Sequence, residues 1–304
     1  MPFCGRLCCI RQSRSSLVKK RRRNQSLMAG LFLMPSLLGV AVFMAIPFGD
    51  VVLRSFLDPL GEKMVGTANF RSVWKNGAFR LAAGNTLHFL AAAIPVLFGV
   101  SFILALLVYG TGKGKRMFKI SLVLPMVIPT AAMALVWKIF LCPDGILNQL
   151  LIGMTDKMWQ IDWVYGETAF SVLVFTYVWK NIGYYLLLWL AGMSAIPESL
   201  YDAAKVDGAG SLARIRFITL PCLKGTMALV LGFSVIHSFR VYREAYLLAG
   251  SYPDQTIYLI PHLFSHWFLT LDVQKMCTAA VILVAAGFGG TAVIVAGVTW
   301  VLRE

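Results

Sequence analysis

The stretch that decides the fold reads AIPESLYDAAKVDGAGSLARIRFITLPCLKG and covers residues 195–225. It is long for a loop between apolar runs and carries proline near both ends. Pro197 is compatible with a helix start, so the pattern predicts a short helix over Glu198–Val206. Gly208 then permits a left-handed or tight turn, and Ser211 is expected to cap a second helix. The stretch therefore predicts a compact helix-turn-helix suited to docking against another protein.

Outward from this loop, the chain consists largely of apolar runs. Apolar residues make up 58% of the 304 residues, charged residues make up 14%, and the mean hydropathy is +0.73. Soluble domains contain about 45–50% apolar and about 25% charged residues. A helix needs about 20 apolar residues to cross a bilayer. We expect an all-α membrane protein with six transmembrane helices, of which the fifth has the weakest signal: Leu27–Phe48, Leu87–Tyr109, Ile120–Leu141, Ala169–Met193, Thr226–Val241 and Thr278–Leu302.

Lysine and arginine are distributed unevenly over the loops between these runs. The N-terminal tail 1–26, the loops 110–119 and 192–225 and the C-terminus together hold 17 of them, and the longer opposite loops hold nine. The positive-inside rule therefore predicts a multi-pass protein of the cell membrane with both termini in the cytoplasm. The net charge of +14 is then a topology signal with contact to anionic lipid, and we expect no nucleic-acid partner.

Motifs for catalysis or metal binding are not found in the sequence. The basic, glycine-rich segment 109–116 lacks the Gly-Lys-Ser/Thr ending of a phosphate-binding loop. The four histidines have no ligand partners at helical spacing. Cys4, Cys8 and Cys9 lie in the basic tail, where free thiols are favoured over metal binding or acylation. We expect a protein that is not an enzyme and has no metal site.

The loop resembles the E-A-A loop of permease subunits from binding-protein-dependent ABC importers. That family pattern is approximately E-A-A-x-x-D-G-A, followed further on by a hydrophobic residue before proline. Asp202 stands where the family has glutamate, which keeps the charge and shortens its reach. The segments NTLHF (85–89), GKRMFKISLVLPMVIP (114–129) and WKNIGYYLLLWLAGM (179–193) resemble the carbohydrate-uptake branch. The loop positions that match the pattern, or begin its helix, are Glu198, Asp202, Ala203, Ala204, Asp207, Gly208, Ala209 and Pro221.

The resemblance implies a type I ABC importer permease fold over residues 27–304, following the cytoplasmic tail 1–26, with 195–225 as the loop that couples to the ATPase. It implies two cytoplasmic ATPase subunits, a second permease that is a different chain, and an extracytoplasmic solute-binding protein. The partner ATPases would use ATP, and this chain would bind no cofactor. The implied solute is a mono- or oligosaccharide. A polyol or glycerol phosphate is the alternative, because Leu247–Thr256 departs from the pattern of many sugar permeases.

Two other classes of protein remain open at this point. An integral membrane enzyme would need clustered acidic or histidine residues at the cytoplasmic interface, and the acidic cluster present belongs to the loop pattern. A secondary transporter would show inverted repeats and helices broken at mid-span, and neither is clear in the sequence.

Polar side chains within the apolar runs are candidates for the solute pathway, because such groups usually face a cavity or a partner. Asn181, Tyr184 and Tyr185 lie near the middle of the fourth run, and tyrosine suits sugar rings. Ser234 and Ser238 are four residues apart and therefore share one face of the fifth helix. The alternative role for all five is packing or hydrogen bonding between helices. Lys180, the deepest charge, either pairs within the complex or contacts an anionic solute.

Overall fold

The computed structural model describes residues 28, 30, 32–59, 61–109, 112–155, 161–250 and 253–303. The predicted basic tail and its three cysteines lie outside the described residues. Helices form the whole architecture of the described part, apart from an isolated bridge between Leu57 and Met64. The helices are α1 Phe32–Ser55, which contains a π-helical turn at Ala41–Ala45, α2 Ala68–Lys75, α3 Gly77–Val108, α4 Lys113–Val127, α5 Thr130–Leu141, α6 Ile146–Thr155, α7 Glu167–Ser194, α8 Glu198–Val206, α9 Ser211–Arg214, a π-helical turn Ile215–Thr219, α10 Leu220–Cys222, α11 Lys224–Ser238, a 3-10 turn Phe239–Val241, α12 Tyr242–Ala249, a 3-10 turn Gln255–Ile257, α13 Ile260–Leu269 and α14 Val273–Arg303.

Six helical segments correspond to the six predicted runs. Five segments in the described part are long and apolar enough to cross a membrane: Phe32–Ser55, Gly77–Val108, Thr130–Met154, Lys224–Ala249 and Val273–Gly290. The fourth predicted run is α7, whose 28 residues reach about 42 Å. Helix α7 is less apolar because it carries Lys180 and Asn181. It can hold these polar groups because the other helices surround it, so its side chains face protein more than lipid.

The third predicted run, Ile120–Leu141, is not one continuous helix, and this expectation is corrected. Helix α4 ends at Val127 and α5 begins at Thr130, with Ile128 and Pro129 in extended conformations (ψ of 127° and 138°). The ring of a proline disfavours helical geometry for the residue before it, which explains the break at Ile128. The sequence shows this proline, but hydropathy alone hides the break because both halves are apolar.

The core forms where α3 packs along α7. The buried residues of α3 recur every three or four positions, from Ala82 through Phe89, Ala93 and Leu97 to Val108, and so form one stripe. The α7 residue Trp189 meets this stripe and donates its indole N–H to Ser101 Oγ at 3.0 Å. Phe98 and Phe102 contact the same indole edge-on, each with ring centroids 5.0 Å from it. Helix α7 is therefore the fixed centre on which the rest of the bundle is placed.

A glycine on α7 brings the α4 helix close. A Cβ at Gly183 would lie 2.6 Å from the carbonyl oxygen of Leu122, which is closer than van der Waals contact permits. The absence of a side chain therefore fixes the distance between α4 and α7. This approach also places the break between α4 and α5 beside the polar middle of α7.

Candidate functional site

The predicted helix-turn-helix is present at 195–225. Helix α8 covers Glu198–Val206, as expected, and Gly208 has φ of +75°, which confirms the expected left-handed turn. The Gly208 N–H donates to Lys205 O at 3.1 Å, and the Ala209 N–H donates to Ala204 O at 2.8 Å. These two bonds are the Schellman arrangement, which satisfies the last carbonyls of a helix and favours glycine at the left-handed position.

The second half of the loop differs from the expectation at one residue. Gly210, not Ser211, occupies the cap position, and Ser211 is the first residue of α9. The Ser211 hydroxyl accepts a bond from the Arg214 guanidinium at 3.2 Å instead of capping the backbone. Pro221 lies in the first turn of α10, where a missing N–H costs no helical hydrogen bond, and α11 follows directly.

A side-chain bond joins the two halves of the loop. The hydroxyl of Tyr201 on α8 lies 2.9 Å from Thr219 Oγ1 in the π-helical turn. Nearby, the hydroxyl of Tyr109 donates to Met193 O at 3.1 Å and so ties the end of α3 to the end of α7. Burial raises the pKa of Tyr109, and the neighbouring Tyr201 and Glu198 add to this effect. The phenol therefore stays protonated and able to donate.

The outer face of the loop has no partner among the described residues. No residue of α8 is buried, and Val206, Leu212 and Phe217 are 88%, 80% and 72% exposed. Asp202 forms an exposed ion pair with Lys205 at 2.8 Å. Among the other predicted positions, Ala203 is exposed and Ala204 and Ala209 are half-buried. The result is a small, mixed apolar and charged surface on a locally rigid unit.

A cavity of about 350 Å³ lies on the other side of α7, in the membrane part of the bundle. Helix α7, the junction of α4 and α5, and the segment from α11 to α12 form its walls. The lining residues are Met126, Thr130, Tyr177, Lys180, Asn181, Tyr184, His237, Arg240, Val241, Arg243 and Glu244.

The five candidate pathway residues divide into two groups. Asn181 and Tyr184 line the cavity, and the Asn181 amide donates to Tyr177 O at 2.8 Å. Tyr185, Ser234 and Ser238 are buried behind the wall. Tyr185 Oη lies 3.3 Å from His237 Nδ1. The two serine hydroxyls donate to carbonyls of their own helix, those of Leu231 and Val235.

Four of the eleven cavity-lining residues are charged, and the sequence analysis singled out one of them, Lys180. Lys180 Nζ lies 3.4 Å from Glu244 Oε1, in a pair whose side chains are 13% and 9% exposed, and it also donates to the Thr130 hydroxyl. Arg240 and Arg243 line the same space. Their three-residue spacing was the available signal, since residues three apart share a helix face; Arg240 lies at the end of the weakest apolar run and Arg243 just beyond it.

Comparison with known proteins identifies the family. Residues 96–302 match the model of the binding-protein-dependent transport system inner membrane component. The chain belongs to this family.

The permease also resembles characterised relatives over most of its length. It is 30% identical to the sn-glycerol-3-phosphate transport system permease protein UgpA of Yersinia pseudotuberculosis, over 86% of this chain and 91% of the relative. It is 28% identical to the lactose transport system permease protein LacF of Rhizobium radiobacter, over 77% and 78% of the two chains. A crystal structure of a bacterial ABC transporter involved in the import of the acidic polysaccharide alginate superposes with a TM-score of 0.77 at 24% identity, and covers 95% of the permease and 98% of that chain.

Family membership decides among the classes that the sequence left open. The permease is a multi-pass membrane component of an ABC importer of the carbohydrate-uptake branch, and so a transport protein rather than an enzyme. The helix break at Ile128 and Pro129 resembles the broken helices of secondary transporters. Here that feature occurs within an importer permease, so it does not favour the secondary-transporter alternative.

Proposed function

We propose that the permease carries a sugar or sugar derivative, delivered by an extracytoplasmic binding protein, into the cytoplasm. Two cytoplasmic ATPase subunits drive the transport, and a second permease of different sequence completes the pathway. ATP is used by the ATPases, and this chain binds no cofactor. The observation that carries the proposal is the unit formed by α8 and α9. It presents exposed apolar side chains, and it belongs to the loop 195–225, one of the segments rich in lysine and arginine.

The loop is built to transmit motion. The Schellman turn at Gly208 and the bond between Tyr201 and Thr219 hold α8 at a fixed angle to the π-helical turn. That turn leads through Pro221 into α11, whose far end supplies His237 to the membrane cavity. A displacement of α8 by a closing ATPase therefore reaches the cavity through the π-helical turn, α10 and α11. The loop and α11 thus form a rigid element, and ligands bound at its two ends can shift the equilibrium between its positions.

The cavity beside α7 supplies part of the solute pathway in this proposal. Asn181 offers an amide and Tyr184 offers a ring face with a hydroxyl, which are groups that hydrogen-bond and stack on sugar rings. Tyr185, Ser234 and Ser238 support this wall from behind. The second permease closes the open side of the cavity.

Two loop variants test the coupling role. Ala203→Arg places bulk and charge on the exposed face of α8, so the ATPase should no longer co-purify with the tagged permease. Gly208→Pro is incompatible with φ of +75°, since proline fixes φ near −65°, so it should misplace α8 and reduce uptake even where the ATPase is retained. The proposal fails if both variants import at the wild-type rate with the ATPase bound.

A neighbouring glycine provides the matched control. Gly210 has φ of −66°, and a Cβ there would meet no atom within 4 Å. Gly210→Ala should therefore import normally. Loss of uptake in this control would show that any change in the loop is harmful, and the specific role of the Gly208 turn would be rejected.

The orientation is part of the same proposal. The distribution of basic residues supports a cytoplasmic location for both termini, the tail 1–26 and the loop 195–225. A cysteine introduced at Asp254 should react with an impermeant thiol reagent added to intact cells, and one at Gly114 should not. Reaction at Gly114 would reverse the topology and separate the loop from cytoplasmic ATPases.

A further inference from the structure

We propose that the cavity formed by α5, α7 and α12 is an anion site, so that the transported solute carries a phosphate, sulfonate or carboxylate group. This inference rests on the proposed function and specifies the solute class for the same pathway. It is argued from the cavity charges, from the ion pair inside the cavity, and from the helix that begins at its wall.

The balance of charge in the cavity is positive. Its lining contains three cations, Lys180, Arg240 and Arg243, and one carboxylate, Glu244. Lys180 and Glu244 neutralise each other, because their charged atoms lie 3.4 Å apart and both side chains are nearly buried. Arg240 and Arg243 remain as two positive charges at the rim of the space. Both side chains are exposed in this chain, so their field acts at the open rim of the cavity, where solvent and salt screen it in part.

The ion pair keeps the two arginines free. Arg240 precedes Glu244 by four residues, a spacing at which opposite charges often pair along a helix. Glu244 instead contacts Lys180 across the cavity, and no ion pair of Arg240 or Arg243 occurs within the described part of the chain. The second oxygen of Glu244 is buried without a hydrogen-bond donor among these residues, so neither guanidinium binds it. Both guanidinium groups are therefore available to bind an oxyanion through two N–H groups each.

The break between α4 and α5 contributes to the same site. Pro129 interrupts the helix, and Thr130, the first residue of the 12-residue helix α5, lines the cavity. The N-terminus of a helix carries unpaired N–H groups and a partial positive charge. The break thus places a second source of positive potential opposite the two arginines.

The first measurement reports the sign of the potential in the cavity without any transported solute. Tyr184→Cys, in a background that lacks the other cysteines, places a thiol on the cavity wall. The whole importer complex, purified through the tagged permease into phosphatidylcholine nanodiscs, is treated with a sulfonate-bearing or a trimethylammonium-bearing methanethiosulfonate. We expect the thiol to favour the sulfonate reagent, and the combined Arg240→Gln and Arg243→Gln changes to lower that preference about tenfold. An unchanged preference would overturn the proposal.

The second measurement asks whether an anionic solute occupies the site. Protection of the same thiol is compared between sn-glycerol 3-phosphate and glycerol, and between D-glucuronate and D-glucose. We expect at least one of the two anions to slow the modification, with neither neutral partner doing so, and we expect the protection to disappear in the double glutamine variant. Arg243→Lys retains the charge and should retain part of the protection. Arg80 is an exposed cation at the start of α3, outside the cavity lining, so Arg80→Gln is the control. In this variant the anions should slow the modification as much as they do when Arg80 is unchanged.

The remaining outcomes separate this proposal from its competitors. If phosphatidylglycerol in the nanodisc abolishes the sulfonate preference, the arginines bind lipid headgroups and the proposal is overturned. If glucose protects as well as glucuronate, the pathway accepts neutral sugars and the proposal is also overturned, while the coupling role of α8 is decided separately by the Ala203→Arg and Gly208→Pro results.

Discussion

The coupling loop and the membrane cavity are built in opposite ways. The bonds that shape the α8 turn join residues three and five positions apart, such as Gly208 to Lys205 and Ala209 to Ala204. The polar contacts that shape the cavity join distant parts of the chain, since Lys180 meets Thr130 from 50 positions away and Glu244 from a different helix again. The loop is therefore a rigid local unit, whereas the geometry of the cavity depends on how the helices are placed. A transporter needs this combination, because the loop must be displaced as a rigid unit and the cavity must change its conformation.

The strongest test of this difference removes a cavity charge. Lys180→Met leaves Glu244 buried without a counter-charge, and breaking a buried pair by one partner costs about 3–5 kcal/mol. We expect the free energy of unfolding, measured in detergent micelles with denaturant, to fall by about 3 kcal/mol. The double variant Lys180→Met, Glu244→Gln should recover more than half of that loss. If the double variant is as unstable as the single one, the ion pair does not hold the cavity walls together.

The second test uses pH to weaken the packing of α13 against α12. His262 on α13 is buried against Tyr242 of α12, with ring centroids 4.9 Å apart, and its Nδ1 accepts from the Leu259 N–H at 3.2 Å. Burial lowers the pKa of His262 to about 4, from an ordinary value of 6.5. Because the pKa is lower in the folded state, the stabilisation is complete above pH 6.5 and is lost as the pH falls toward 4.

Between pH 7 and pH 5, this linkage should cost about 2 kcal/mol of local stability. The protection of the α12 and α13 amides, measured as exchange relative to the intrinsic rate at each pH, should fall accordingly, and that of the α8 amides should not. His262→Asn keeps an acceptor near the position of Nδ1 and does not titrate, so the protection of these amides should not change with pH in this variant. An equal loss of protection in α8 would contradict the independence of the two regions.

The same contrast explains which features the sequence could predict. The α8 helix and the left-handed Gly208 follow from local rules, and both were predicted within the correct bounds. The helix break at Pro129 also has a local cause, but hydropathy does not register it. The cavity depends on packing, since Gly183 sets the distance between α4 and α7 and the bundle then decides which polar groups meet. Ser234 and Ser238 were predicted to share one helix face on the solute pathway, but the structure buries both of them inside the protein.

A smaller effect is expected from a single methyl group in the loop. Gly208→Ala forces a Cβ into a left-handed conformation, which costs about 1–2 kcal/mol. The cost should appear as faster exchange of the Ala209 amide, because this N–H bonds across the turn to Ala204 O. Gly210→Ala should leave that amide unchanged, because Gly210 has an ordinary negative φ. Exchange in α12 should be the same in both variants, and a change there would show that the loop turn and the cavity are coupled at rest.

The smallest expected effect concerns the bond through which the loop reaches the membrane helices. Tyr201→Phe removes the hydroxyl that lies 2.9 Å from Thr219 Oγ1, and a neutral hydrogen bond of this kind contributes about 1 kcal/mol. The ATPase should still co-purify, since the exposed face of α8 is unaltered, but uptake should fall because α8 can now tilt without moving the π-helical turn. Thr219→Val removes the same bond from the other side, together with the bond from Thr219 Oγ1 to Arg214 O at 3.4 Å, so the double variant should be no worse than Thr219→Val alone. If the losses of uptake add instead, Tyr201 and Thr219 act separately, and the motion of α8 must reach α11 by another route.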